Sequence, residues 1–200
     1  SQKSPEEGVK AAIEAVMSMQ TGIPVFKSDK LAGAAWIQAT KAAEQWNRPG
    51  VFTTLHGFEW TSEPGANNLH RTVIFRDNAE RVNQVLPFSA FDSSDPARLW
   101  EYMDAYTRKT GGQVLAIPHN GNLSNGMMFA TTTRDGRQFD RAYAETRARR
   151  EPLYEVTQPK GTGEAHPLLS PEDEFAGFEV WDKSNLGGNA ATSREMLPGN

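Results

Sequence analysis

Apolar positions recur along the chain with two periods, and the period changes where Gly, Pro and Asn cluster. In PEEGVKAAIEAVMSMQ, residues 5 to 20, Val9, Ile13, Val16 and Met17 share one face of a 3.6-residue repeat, which predicts a helix. Pro5, Glu6 and Glu7 suit its start, and Gly22-Ile23-Pro24 ends it. A second helix is predicted from Asp29 to Asn47, with Leu31, Ala35, Ile37 and Trp46 apolar, and Asn47-Arg48-Pro49-Gly50 is a strong stop. Val51 to Trp60 is rich in β-branched and aromatic residues and reads as the first strand. Ser62 to Asn68 is a polar loop, and Leu69 to Arg76 the next strand. Residues 77 to 95 carry no regular pattern. Asp95-Pro96 then opens a helix through Thr110, with Leu99, Trp100, Met103 and Tyr106 on its apolar face and Gly111-Gly112 as its cap. Val114 to Ile117 is a short buried strand that runs straight into Pro118-His119.

Beyond that point Asn120 to Gly126 is a loop, Phe139 to Arg150 a charged helix and Leu153 to Gln158 a strand. Pro159 to Pro167 forms a loop, Ser170-Pro171-Glu172-Asp173 a helix start, and Phe178 to Trp181 a last short strand. The chain ends in Leu197-Pro198-Gly199-Asn200. Helix and strand alternate from residue 96 onward, which favours an α/β barrel or doubly wound sheet over separate blocks.

Composition narrows the function classes. Two hundred residues suit one domain with a sizeable core. Mean hydropathy is low at −0.61, but 10% aromatic residues argue against disorder. A net charge of −4 without a basic run disfavours a nucleic-acid partner. No stretch approaches the roughly 20 apolar residues of a membrane span. The absence of Cys excludes disulfides and thiolate ligands, and it leaves the compartment undetermined.

Candidate chemistry gathers around the four histidines. Three of them, His70, His119 and His166, lie in polar stretches beside short apolar runs: NNLHRTVIF, VLAIPHNGNLSNG and YEVTQPKGTGEAHP. The fourth, His56, shares VFTTLHGFEWTSE with Glu59. Strand ends are rigid and the loops above them vary, so α/β enzymes present ligands there. Imidazole and carboxylate are the donors of Zn, Mn or Fe sites. Alternation puts His56 and Glu59 on opposite strand faces, so they do not share one metal. Glu59, set between Phe58 and Trp60, needs a metal or an Arg as partner. His70 and Arg71 are adjacent, so one of the two faces the interior; His70 is a candidate ligand, and Arg71 a candidate to bind an anion or the neighbouring carboxylates. Pro118 stiffens the approach to His119 and Gly121 lets the backbone turn. His119 is a ligand or the surface histidine of an Asn-Gly loop. Asn120, Asn122 and Asn125, with Asn68 before His70, are candidates to hold water, substrate or a ligand's second ring nitrogen. Lys160 and His166 belong to a loop that either neutralises an anion or is a plain surface loop. No G-x-S-x-G, H-E-x-x-H, Walker or dinucleotide motif is present.

Together these stretches resemble the PHP superfamily, named for polymerase and histidinol phosphatase domains. The resemblance implies a distorted (βα)7 barrel with a two- or three-metal site at the C-terminal strand ends. GFE matches its strand-end Glu at Glu59, LHRTVIF its strand with a histidine at His70, PHNGN its His-Pro-Gly-Asn at His119, and LYEV a later strand. The set GFEWTS, NLHRTVIF, IPHNGNLSNG and VTQPKGTGEAHPLLSP is most similar to a bacterial PHP-like branch known as domain of unknown function 3604. The opening H-x-H, the Asp-His pair and the closing Asp-x-His of PHP proteins are not in this chain. The expectation is therefore an α/β fold formed by part of such a barrel, a single domain over residues 1–200 lacking the first strands and the last.

The resemblance implies a divalent-metal-dependent hydrolase acting on a small molecule, most of all a phosphoesterase. Glu59, His70 and His119 would be metal ligands; His166, Arg71 and Lys160 would be catalytic; Asn120, Asn122 and Asn68 would contact substrate. The alternative is a non-catalytic module on the same scaffold that binds a ligand or partner. The two separate on whether Glu59, His70 and His119 converge on one point.

Overall fold

Three strands, β1 (His56–Trp60), β2 (Arg71–Phe75) and β3 (Val114–Pro118), form one antiparallel sheet in the order β1-β2-β3 in the computed structural model. The structure describes residues 4–25, 28–133, 135–181 and 184–188. Register sets Glu59 opposite Thr72, Trp60 opposite Arg71, and Arg71 opposite Pro118. Side chains alternate across a strand, so His56, Phe58 and Trp60 share a face with Arg71, Val73, Phe75, Val114 and Ala116. This face is the buried one. Gly57, Glu59, Thr72 and Ile117 stand on the opposite, less buried face.

The helices explain the difference between the faces. α1 (Pro5–Thr21) is followed by α2 (Asp29–Trp46), α3 (Ala79–Val82), α4 (Pro96–Thr110) and α5 (Arg141–Arg150). Leu99, Trp100, Met103 and Tyr106 of α4 are buried and join Trp60, Val73 and Phe75 in one core. Each such side chain contributes about 1.5–3 kcal/mol on burial. Asp95 caps α4 through its carboxylate on the Ala97 N–H, and Gly111 closes it at φ 68°, a left-handed conformation that favours glycine. α2 adds Trp36, whose ring meets Phe58 edge-on at 6.1 Å.

Several elements match the sequence reading: α1, α2, α4 and β3 lie where the pattern puts them, and α5 begins at Arg141 with Asp140 as its cap. Others do not. The inward face of α2 is Trp36 with Thr40, and Leu31, Ile37 and Trp46 are exposed. Val9, Ile13, Val16 and Met17 of α1 are likewise exposed. The first strand starts at His56, not Val51. Residues 79–82, expected to be irregular, form α3. Residues 153–156 form no regular element, and only Thr157–Gln158 (β4) pairs, with Gly161–Thr162 (β5), in a small hairpin. The expected helix at Ser170 and strand at Phe178 are turns, with Phe175, Phe178 and Trp181 exposed; the Thr162 N–H of β5 donates to the Glu179 carbonyl, but no strand ladder extends from it among the described residues. The final Leu197-Pro198-Gly199-Asn200 lies outside the described residues.

The architecture is mixed α/β, but the strand pairing differs from that of a βα barrel. Both pairs in the larger sheet are antiparallel, and no closed barrel forms among the described residues. A parallel pair needs a crossover of about a dozen residues, usually helical. Residues 61–70, which link β1 to β2, hold only a 3-10 turn at Pro64–Ala66.

Candidate metal centre

The less buried sheet face ends in three converging donors. Glu59 is the fourth residue of β1. His70 immediately precedes β2 and His119 immediately follows β3; the His119 N–H donates to the His70 carbonyl at 3.3 Å, which continues the β2-β3 ladder by one step. The two histidines are thus cross-strand neighbours, and Glu59 reaches them diagonally. Glu59 Oε1 lies 2.9 Å from His70 Nδ1 and 3.3 Å from His119 Nε2. The imidazole rings meet edge-on with centres 5.6 Å apart. One ligand atom from each of the three residues lies within 4.8 Å of the others.

A fourth residue orients the set. Glu63 Oε1 accepts from His70 Nε2 at 2.9 Å, and its side chain is only 10% exposed. The chain reaches Glu63 through a turn pinned on the core side: Trp60 Nε1 donates to the Ser93 carbonyl, Ser62 Oγ to that of Ser94, and Leu69 N to that of Ser62. His70 therefore has a carboxylate at each ring nitrogen. Both contacts favour the charged form of the ring. Burial opposes that charge, but the hydrogen bonds with Glu59 and Glu63 outweigh it and raise the His70 pKa. Glu59 is held well below the usual carboxylate range, chiefly by the hydrogen bond from His119 and then that from His70.

This donor set fits a divalent transition ion. Two imidazole nitrogens and one carboxylate oxygen are what Zn, Mn and Fe take. If Nδ1 of His70 is given to an ion, Nε2–H remains on Glu63, the histidine-carboxylate relay that fixes tautomer and ring angle in metal sites. Three protein ligands leave coordination positions open, as catalytic sites do and closed structural sites do not. Glu59, at 49% exposure, is the side open to solvent.

The loop after His119 is rigidly built. Asn120 adopts a left-handed conformation at φ 54°, and its N–H donates to Glu155 Oε2 at 3.2 Å. Gly121 donates to the Tyr154 hydroxyl at 3.1 Å, and a Cβ on Gly121 would collide with that oxygen. Asn122 Nδ2 donates to the carbonyls of Lys160 and Trp181, which docks the 159–167 loop onto this one. The Glu155 N–H donates to the Pro118 carbonyl, so the LYEV stretch runs beside the end of β3.

The family model for a protein of unknown function, DUF3604, matches residues 3–200. The chain belongs to the DUF3604 family. No curated protein and no solved structure matches it. The DUF3604 match carries no statement of activity. No helix among the described residues is long and apolar enough to cross a membrane.

The structure sorts the other predicted site residues. His56 is buried on the opposite face with Nε2 3.0 Å from Glu44 Oε1, away from the cluster as alternation requires. Arg71 was expected to offset charge at the site, with only one of His70 and Arg71 facing inward. The two stand on opposite faces, as alternation requires: Arg71 faces the core, and His70, with its side chain 12% exposed, faces the Glu59–Glu63 side. Arg71 is 1% exposed, and its Nε donates to Glu151 Oε1 at 3.0 Å. Asn68 and Asn120, expected at the substrate, are fully buried; Asn68 Oδ1 accepts from the His70 N–H at 3.0 Å and so positions that ligand's backbone. Both amide atoms of Asn120 are buried without a partner. Lys160 is exposed, and His166 Nδ1 accepts from the Leu168 N–H within its own loop. Glu63 is the residue the sequence reading missed. It sits four positions after Glu59 in the same motif, and only the turn between them brings it back to His70.

Proposed function

We propose that this chain carries the metal centre of a divalent-metal-dependent hydrolase whose substrates are small phosphate esters. The observation that supports this reading most is the convergence of Glu59, His70 and His119 on one point at strand ends, with Glu63 behind His70. When bound, a divalent ion there supplies Lewis acidity toward a phosphoryl oxygen and lowers the pKa of water from 15.7 toward about 7. Glu59, His70 and His119 hold it; Glu63 fixes His70; Asn68 anchors the His70 backbone. Lys160 and His166 lie on the loop docked to the His119 loop through Asn122, and we assign them to the substrate's anionic group and leaving group. Arg71, tied to Glu151, supports the sheet behind the cluster.

Kinship with the PHP superfamily belongs to the same proposal. It rests on site motifs: Glu59 at a strand end, His70 beside its strand, and His119 in PHNGN. The antiparallel sheet is not a run of parallel barrel strands, so the kinship is drawn for the site alone.

The test is hydrolysis of p-nitrophenyl phosphate after loading with Zn, Mn or Fe. Activity is expected to disappear with a chelator and to fall about 100-fold or more in Glu59→Ala. Activity that survives both changes contradicts the proposal. A protein that binds metal tightly but hydrolyses no ester would be the non-catalytic module instead.

A further inference from the structure

A cavity lies on the other side of the sheet from Glu59, His70 and His119. It encloses about 360 Å³ and is lined by Arg71, Trp100, Met127, Met128, Tyr143 and Arg147, among others. That volume is at the small end of the range for small-molecule pockets, about 300–1,000 Å³. One wall is aromatic and braced: Tyr143 stacks on Phe139 with ring centres 4.3 Å apart and meets Trp100 edge-on at 5.0 Å. The thioethers of Met127 and Met128 offer soft, adaptable contacts.

The charges around the cavity do not balance. Arg71 is neutralised by Glu151, whose Oε1 also accepts from Trp100 Nε1 at 2.8 Å. Glu151 Oε2 is buried and has no hydrogen-bond partner, so Arg147 is not bonded to it. Asp95, a further carboxylate that acts on Tyr143, is engaged in capping α4. Arg147 is partly buried, lies 4.4 Å over the Phe129 ring, and makes no hydrogen bond or ion pair with a carboxylate among the described residues. Burial works against its charged form. Arg147 is half-buried, feels the Glu151 charge without bonding to it, and a carboxylate is the group whose geometry matches its fork of donors.

We propose that this cavity binds a small aromatic carboxylate, with its ring against Trp100 and Tyr143 and its carboxylate on Arg147. The cavity is independent of the metal cluster, because Arg71 and Glu59 stand on opposite faces of the sheet.

The test is calorimetric titration of the protein with benzoate, benzyl alcohol and acetate. Benzoate is expected to saturate one site, with benzyl alcohol and acetate each weaker by about tenfold or more, because one lacks the charge and the other the ring. Arg147→Gln should weaken benzoate about tenfold and leave benzyl alcohol unchanged. Arg141→Gln, on the same helix but 92% exposed, should bind as the wild type does, and so should Glu59→Ala. Absence of saturable benzoate binding, or benzyl alcohol binding as tightly as benzoate, would overturn the proposal. So would a folded Arg147→Gln protein with undiminished benzoate affinity. The comparison of ligands on the wild-type protein decides the matter even if that variant does not fold.

Discussion

His70 is held by Glu59 on one ring nitrogen and Glu63 on the other, and the two carboxylates do different work. In the proposed site Glu59 would share a metal with the ring, and Glu63 would hold the ring by its far nitrogen. Removing the charge at Glu63 while keeping its shape should therefore weaken metal binding without abolishing it. Glu63→Gln is expected to lower zinc affinity by about 10- to 100-fold, read by competition with a chromophoric chelator. Equal affinity in the two proteins would reduce Glu63 to a bystander. Glu59, His70 and His119 were legible in the sequence because strand ends followed by polar loops announce themselves in the hydrophobic pattern. Glu63 was not, because its role depends on a turn that folds back onto the strand it leaves. Which carboxylate Arg71 takes was not legible for a different reason: its partner Glu151 lies 80 positions away and no local pattern points to it.

Elements meet through a few polar clamps, and Glu44 is the clearest. Its Oε1 on α2 accepts from the Ala79 N–H at the start of α3 at 2.7 Å and lies 3.0 Å from His56 Nε2 on β1. The Ala79 N–H, and after it His56, holds the Glu44 carboxyl below its ordinary pKa of 4.5. Because the folded pKa is the lower one, the stability Glu44 contributes is present above about pH 4.5 and is lost as pH falls through the folded value. Partial exposure keeps the effect small. Thermal melts from pH 7 to pH 3 should thus show the wild type losing stability more steeply below pH 4.5 than Glu44→Gln. Parallel curves would mean that the clamp carries no linkage. At this scale the sequence placed α1, α2, α4 and β3 well, since strong periodicity and caps bound them. It misjudged which face of α2 turns inward, because Trp36 with Thr40 and Leu31 with Ala35 are both acceptable helical spacings and only the sheet beneath chooses between them.

On the scale of the molecule, alternation of helix and strand pointed to a parallel barrel, whereas the sheet is antiparallel. Alternation fixes the order of elements but not the direction in which a strand returns, and the short 61–70 connection turns β2 back on β1. The same antiparallel return brings the end of β1, the start of β2 and the end of β3 to one edge, which is why Glu59, His70 and His119 meet there. The central claim is that this edge holds a divalent ion. Elemental analysis of the purified protein, beside Glu59→Ala and His119→Ala, tests it most directly. The account predicts about one equivalent or more of Zn, Mn or Fe in the wild type and little in either variant, since each removes one of three protein ligands. A wild-type protein that binds no transition metal after loading, or one whose metal content the two substitutions leave unchanged, would contradict it.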